Sequence, residues 1–69
     1  MPRARFEQLA RRSAVVKLSD EDAAFLYPGR SEAEVIDAIL ALGCALVAVT
    51  RGGRGAILAT GTDRVEVAA

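Results

Sequence analysis

A continuous apolar run covers residues 44–50 and ends on Thr50. Three of its positions are β-branched, namely Val47, Val49 and Thr50. A run of this kind is typical of a strand that is buried on both faces, as in a parallel sheet covered by helices. The pattern therefore predicts a central strand over residues 44–50.

Three further segments have the patterns of strands. Residues 14–18 form a short apolar run interrupted only by Lys17, which predicts a second covered parallel strand. Residues 56–60 are apolar and lead the chain back after a glycine-rich segment. Residues 64–67 alternate polar and apolar side chains, which is typical of a strand with one face in water, and Gly61-Thr62 predicts a tight turn before it.

Three other segments have the spacing of helices. Residues 3–12 predict a helix that places Phe6, Leu9 and Ala10 on one face. A second helix is predicted after Ser19, a favourable N-cap that is followed by three carboxylates where the helix dipole favours negative charge. Its apolar face is predicted to hold three residues, and it should end at Pro28-Gly29. These three residues are Ala23, Leu26 and Tyr27.

The third helix is predicted from a capping box, in which Ser31 is the N-cap and Glu34 lies three residues further on. An apolar stripe with helical spacing follows, and Gly43 suits the end of the helix. The stripe consists of Val35, Ile36, Ile39, Leu40 and Leu42.

The resulting order is α-β-α-α-β-β-β, which predicts a mixed α/β sheet. The first two strands are joined through helices and should be parallel, whereas the last three should form an antiparallel meander. Strands covered on both faces require helices above and below the sheet, and three short helices cannot supply them. The chain is therefore interpreted as a slice of a larger, three-layer-type α/β fold.

Composition limits the function classes. The 69 residues make at most one small domain. Basic residues dominate positions 1–18 and acidic residues dominate positions 19–37, but no aromatic side chains are interleaved with the arginines, so no nucleic-acid partner is predicted. One cysteine and no histidine exclude a disulfide framework, a Cys/His zinc site and a histidine-based triad. Cys44 is interpreted as a small core hydrophobe.

The sequence has no signal-peptide pattern and no apolar run of transmembrane length. We therefore expect no membrane partner and a cytoplasmic location.

The segment between the central and return strands, residues 50–55, is called the glycine turn below. Its three glycines allow φ > 0 and a close approach of the backbone to a ligand. The residues alone leave open whether it is a plain hairpin loop or one wall of a nucleotide pocket, although it is not a Walker A loop. Arg51 and Arg54 could equally meet phosphates or be solvated, and helix capping alone would explain Ser19 and Asp22.

Residues 16–28 and 46–56 resemble two motifs of the ribokinase-like (PfkB-type) carbohydrate kinases, most of all the fructokinase branch. Ser19 and Asp22 fall on the first and last positions of the family's Asn-x-x-Glu motif. Thr50, Gly52 and Gly55 fall on its Thr-x-Gly-x-x-Gly motif. The resemblance implies that Ser19 and Asp22 help to organise Mg²⁺ and phosphates indirectly, and that the other three residues line the ATP site. Compared with the family motif, Ser19 lacks the side-chain amide of asparagine, and the side chain of Asp22 is one methylene shorter than that of glutamate. These two differences put the water-mediated metal contact in doubt.

The resemblance also implies that residues 1–69 form a single partial domain from the C-terminal half of such a kinase. The family's sugar-binding half and its Gly-Ala-Gly-Asp segment, which carries the catalytic base, are not found in the sequence. The parent enzyme would bind ATP with Mg²⁺ and a sugar, with fructose as the first candidate, and this chain alone is expected to be inactive.

An alternative from another class is a stand-alone interaction module that oligomerises through an exposed sheet edge. It is suggested by the predicted strand at residues 14–18, which has no partner on its far side.

Overall fold

The computed structural model describes residues 2–68, which form three α-helices and one four-stranded sheet. The elements in chain order are α1 (Arg3–Ala10), β1 (Val15–Ser19), α2 (Asp20–Leu26), α3 (Glu32–Leu40), β2 (Leu46–Thr50), β3 (Ala56–Ala59) and β4 (Arg64–Val67). The predicted order α-β-α-α-β-β-β is confirmed. In the same part of the chain, every helix is too short or too polar to cross a bilayer.

The sheet has the strand order β1-β2-β3-β4. β1 and β2 are parallel, with Val16 opposite Val47, while β2, β3 and β4 form the predicted antiparallel meander. Because the parallel strands are in register, their last residues, Ser19 and Thr50, are direct partners. The topology thus brings two distant segments to one edge of the sheet.

One face of the sheet carries the core. Its alternate positions are buried against the three helices, and the largest fully buried side chains of the helical layer come from α3. The buried sheet residues on this face are Val16, Leu18, Val47, Val49, Ile57 and Ala59. The buried helix residues are Ala10 from α1, Ala23 and Leu26 from α2, and Val35, Ile36 and Ile39 from α3, with Tyr27 directly after α2.

The opposite face of the sheet is apolar but open. The strand register places seven apolar side chains on it, and Val15 and Val65 are each 56% exposed. The seven are Val15, Leu46, Ala48, Ala56, Leu58, Val65 and Val67. The prediction that β1 is covered on both faces is therefore wrong, because its residues alternate between exposed and buried. Residues 2–68 supply two layers, helices and sheet, and β2 comes nearest to full burial.

α1 is attached to the core through Tyr27. The Tyr27 hydroxyl donates a hydrogen bond of 2.7 Å to Glu7, and the ring of Phe6 lies edge-on to the Tyr27 ring at 6.5 Å. Burial and the hydrogen bond to Glu7 raise the pKa of Tyr27 to about 12, so the phenol remains a neutral donor. Leu9 points away from this contact and is 46% exposed, contrary to prediction.

Smaller differences concern element ends. The first helix ends at Ala10 rather than at residue 12, because Arg12 and Ser13 close a tighter turn onto Leu9 and Ala10. The central strand begins at Leu46, and Cys44 is buried just before it. All four residues of β4, which is an edge strand of the sheet, are exposed, and none belongs to the core.

Truncation of the core tests this arrangement. Ile39 is completely buried, so Ile39→Ala should lower the free energy of unfolding by about 2–5 kcal/mol, through lost burial and the cavity left behind. Phe25→Ala is the matched control, because Phe25 is 71% exposed and should change stability little. Urea denaturation followed by circular dichroism measures both changes, and similar losses in the two variants would contradict the described core.

Candidate functional site

The first motif lies where β1 ends and α2 begins. Ser19 is the last residue of β1 and also the N-cap of α2. Its Oγ accepts the N–H of Asp22 at 3.0 Å, and Oδ2 of Asp22 accepts the N–H of Ser19 at 3.2 Å. This capping box fixes both side chains at the carboxyl end of β1. The Ser19 hydroxyl proton and the Oδ1 atom of Asp22 take no part in it.

The second motif, the glycine turn, connects β2 to β3. It contains a single 3₁₀ turn over Gly52–Arg54, with φ of 59° at Gly52 and 95° at Gly55. L-residues rarely adopt such φ values, so the turn depends on glycine at both positions. The Arg51 N–H donates to the Gly55 carbonyl at 2.7 Å.

The turn leaves two backbone donors available. The N–H groups of Arg54 and Gly55 are used inside it, at 3.2 and 3.3 Å, on the carbonyls of Arg51 and Gly52. Those of Gly52 and Gly53 find no acceptor within residues 2–68. Neighbouring N–H groups of this kind can bind an anion.

The two motifs lie side by side at one edge of the sheet. Ser19 and Thr50 are register partners in the parallel pair. The segments that follow them, α2 and the glycine turn, also approach one another, because Nη2 of Arg54 lies 3.3 Å from Oδ2 of Asp20. No direct hydrogen bond joins Ser19 or Asp22 to Gly52 or Gly55 within the described residues, so the motifs are adjacent but not in contact.

Arg51 has a role that the sequence left open. Its Nε donates to Oε2 of Glu32 at 2.9 Å, its Nη2 donates to the other oxygen of Glu32, and its Nη1 donates to Oε1 of Glu66 at 2.7 Å. The side chain is only 20% exposed. Arg51 is therefore neither solvated nor directed at a ligand. Its partners lie 19 and 15 residues away, and no local spacing signals such pairs.

The ion pairs shift the protonation of both partners. The hydrogen bond from Arg51 lowers the pKa of Glu32, against the opposing effect of partial burial. The hydrogen bonds to Glu32 and Glu66 raise the pKa of Arg51. The Arg51–Glu32 pair is therefore fully ionised at neutral pH.

The cavities beside the site are small. One of about 230 Å³ lies next to α2 and includes Asp22 in its lining. A cavity of about 100 Å³ lies between α2 and α3, with Asp20, Arg30 and Glu32 among its lining residues. Pockets for small-molecule ligands are commonly about 300–1,000 Å³, so this one is too small for a nucleotide. Residues 2–68 contain no group of three or more histidine, cysteine or acidic side chains that could hold a metal ion. A larger hollow of about 440 Å³ lies along α1 and includes no residue of either motif.

Comparisons with protein-family models and with curated proteins give no match. Solved structures, in contrast, match almost the whole chain. A fructokinase from Vibrio cholerae O395, solved with fructose, ADP and a calcium ion, is 33% identical, with a TM-score of 0.84 over 96% of this chain and 21% of that one. An adenosine kinase from Sinorhizobium meliloti is 28% identical, with a TM-score of 0.83 over 97% of this chain and 21% of that one.

A third match is a protein assigned as ribokinase II from E. coli, solved with ATP and Mg²⁺. It is 21% identical, with a TM-score of 0.82 over 97% of this chain and 22% of that one, and it supports the fold alone. The chain spans about a fifth of the length of these kinases. The resemblance seen in the sequence is confirmed at the level of the fold, whereas the fructokinase branch is not distinguished.

The Arg51–Glu32 pair predicts a specific pH dependence of stability. Because the pKa of Glu32 is lowered in the folded chain, its contribution is complete above the unfolded-state pKa of 4.5 and is lost as the pH falls through the folded-state value. Glu32→Gln should therefore lower stability at pH 7 by about 1 kcal/mol and make the decline between pH 5 and pH 3 shallower.

The matched control is Glu21→Gln. Glu21 is exposed and makes no side-chain hydrogen bond within the described residues, so this variant should keep the pH slope of the parent chain. Thermal unfolding at several pH values measures the slopes. Parallel slopes for the parent chain and Glu32→Gln would show that the pair does not stabilise the fold.

Proposed function

Since the chain has the fold of a segment of the ribokinase-like (PfkB-type) carbohydrate kinases, we propose that it forms part of the nucleotide site of an ATP-dependent kinase of that class. The reaction of the complete enzyme is phosphoryl transfer to a sugar hydroxyl. The observation that carries the proposal is the register of β1 and β2, which places Ser19 beside Thr50. Ligands of open α/β sheets bind outside the carboxyl ends of parallel strands, and both motifs lie there.

We assign the nucleotide contacts to the glycine turn. Thr50, Gly52 and Gly55 line the ATP site, and the unengaged N–H groups of Gly52 and Gly53 donate to a phosphate. The absence of a Cβ at Gly52 supports this role, since the position is open on its outer side, with nothing within 4 Å of an added Cβ. The cofactor of the complete enzyme is ATP with Mg²⁺.

We assign an indirect metal contact to Ser19 and Asp22, through water or a phosphate oxygen. Mg²⁺ prefers oxygen ligands and usually keeps several of its waters, so one carboxylate oxygen is a sufficient contribution. The capping box supports the assignment, because it orients Asp22 while engaging only its Oδ2 atom. Capping and metal positioning are compatible functions of the same two residues.

We further propose that residues 1–69 are a partial domain that does not phosphorylate sugars by itself. Phosphoryl transfer needs charge neutralisation at the γ-phosphate and a positioned acceptor with a base nearby. Arg51 is bound to two carboxylates and cannot neutralise phosphate charge, and Asp22 is committed to a helix cap. The sugar site and catalytic base come from other parts of the parent enzyme, which we expect to act in the cytoplasm.

Fructose is the first candidate for the sugar. It is supported by the Vibrio cholerae fructokinase, which shares 33% identity with the chain and was solved with fructose bound. The adenosine kinase match, at 28% identity, makes a nucleoside the natural competitor in a substrate test.

A second function is favoured by the open sheet face. β1 is an edge strand, and Val15, Val65 and Val67 on the open face are 47–56% exposed. Exposed edges and apolar patches promote association. The alternative is therefore an interaction module that oligomerises through this sheet.

Sedimentation velocity separates the two functions. A kinase segment lacks the remainder of its sheet and second layer, so we expect a poorly folded monomer or a polydisperse aggregate rather than a defined oligomer. The stability, titration and exchange experiments therefore use dilute chain under conditions that favour the folded monomer. A sharp dimer or tetramer over a tenfold concentration range would support the module instead. Val65→Thr removes apolar surface from the open face at nearly constant volume, and it should reduce aggregation without affecting the buried core.

Titration with Mg-ATP tests the nucleotide site. Few buried contacts are available to offset the entropy lost on binding, so we expect a dissociation constant no tighter than about 1 mM, or about −4 kcal/mol. NMR amide shifts should be confined to residues 19–22 and 50–55 and remain unsaturated at millimolar ligand. No hexose should be phosphorylated.

The matched variants for this titration are Gly52→Ala and Gly61→Ala. Gly52 has a φ of 59° and should lose the response when a Cβ strains the turn, whereas Gly61 lies in an open turn on the far hairpin and should not. Saturation at micromolar ligand or turnover of a hexose would contradict the incomplete kinase. A response outside both motifs would contradict the assigned site.

A further inference from the structure

Few contacts within the glycine turn stabilise its conformation. Gly52, Gly53 and Arg54 are all exposed, and a Cβ added at either glycine would meet nothing within 4 Å. Of its internal hydrogen bonds only one is short, the 2.7 Å contact from Arg51 to Gly55. Glycine loses more conformational freedom on ordering than any other residue. The conformation of the turn must therefore be fixed from its ends.

Arg51, at the start of the turn, is fixed firmly to α3. Its Nε and Nη2 atoms donate to the two oxygens of Glu32, which is the first residue of that helix. A guanidinium and a carboxylate joined in this forked manner hold a defined mutual orientation. α3 is itself a rigid support, because it begins with a capping box and contributes Val35 and Ile36 to the core.

The other attachments of the turn are weaker. Glu66 of β4 accepts from Nη1 of Arg51 at 2.7 Å, but its side chain is 70% exposed. Arg54 reaches Asp20 at 3.3 Å and is itself 77% exposed. Exposed ion pairs contribute little to stability. Most of the constraint on the turn therefore passes through Arg51 and Glu32.

Direct binding of a phosphate by Arg51 is a less favourable role for this residue. Each of the three guanidinium nitrogens of Arg51 already donates a hydrogen bond to a carboxylate oxygen. The cluster of one arginine and two glutamates carries a net charge of −1, from +1 and −2, and would repel a phosphate. The charge of Arg51 is thus used within the protein.

We propose that Arg51 is the positioning residue of the glycine turn. By tying the turn to α3 through Glu32, and secondarily to β4 through Glu66, it holds the N–H groups of Gly52 and Gly53 in the conformation that receives a nucleotide phosphate. The inference rests on the proposed function for its ligand, while the positioning itself is a property of the free chain.

Amide hydrogen exchange on the 69-residue chain tests the positioning without ligand. In Arg51→Gln, the exchange of the Gly55 amide should rise at least tenfold. The amides of Val35 and Ile39 in α3 should rise by no more than about fivefold, the factor that a loss of about 1 kcal/mol in global stability allows. Arg51→Lys keeps the charge but loses the fork, so its exchange at Gly55 should be intermediate. The order of the three exchange rates distinguishes the effect of the paired Arg51–Glu32 hydrogen bonds from the effect of the positive charge.

The matched control is Arg64→Gln. It removes the ion pair between Arg64 and Asp37, which also joins β4 to α3 but lies away from the turn. Exchange at Gly55 should stay at the parental rate. Equal exchange at Gly55 in the parent chain and in Arg51→Gln, or equal loosening by Arg64→Gln, would overturn the proposal. If Arg51→Gln unfolds globally, the comparison of Arg51→Lys with Arg64→Gln decides the question.

Mg-ATP titration of the same variants separates this inference from the proposed function. The initial slope of the Gly52 and Gly53 amide shifts should fall to about a third or less in Arg51→Lys, because a less preorganised turn binds more weakly. If the parent chain and Arg51→Lys show the same amide shifts with Mg-ATP, the positioning role is contradicted while the nucleotide site is supported. No response in the parent chain, together with faster exchange in Arg51→Gln, would instead reject the proposed function.

Discussion

Parallel pairing of β1 with β2 is the constraint on which the rest of the structure depends. Parallel strands need a long crossover, and here α2 and α3 supply it and bring their apolar residues onto one face of the sheet. The same register that sets Val16 against Val47 in the core sets Ser19 against Thr50 at the sheet edge. A one-residue slip of either strand would turn the buried side chains of that strand to the open face and shift one motif past the other by one residue. Core and candidate site are therefore specified by a single alignment of two strands.

The unequal burial of the two sheet faces follows from the number of helices. Three helices of seven to nine residues cover one face of β1, β2 and β3, and the residues of these strands on that face are buried. The opposite face keeps the composition of a covered sheet, with apolar side chains at seven of its ten strand positions, although no helix in residues 2–68 covers it. A chain of this length is already near the lower limit for a stable core. Its apolar open face therefore lowers the solubility of the chain. The free energy that burial of this surface would contribute to stability is not gained.

Local physics made most of the fold predictable from sequence. The N-cap at Ser19, the capping box at Ser31 and the glycines at the turns each act over a few residues, and all of these features occur where expected. The alternating burial of β1 was not expected, because its apolar run predicted cover on both faces. What could not be predicted depends on tertiary geometry. Leu9 fitted the helical spacing of a buried residue, but the docking of α1 through Tyr27 turned it outward. The role of Arg51 was hidden for the same reason, since its partners are distant along the chain and become neighbours only after the sheet and α3 have packed.

The two motifs illustrate why weak local signals gain meaning from topology. Each has a sufficient local explanation: Ser19 and Asp22 cap a helix, and Gly52 and Gly55 permit a tight turn. Neither explanation requires the two segments to meet, yet the strand register brings them to one edge of the sheet, which holds a carboxylate oxygen and backbone donors that are not engaged within residues 2–68. Capping also restricts the side chains that it uses, so it provides the preorganisation that a metal or phosphate contact would need. The structural and functional roles of these residues are therefore two consequences of the same constraints on the chain.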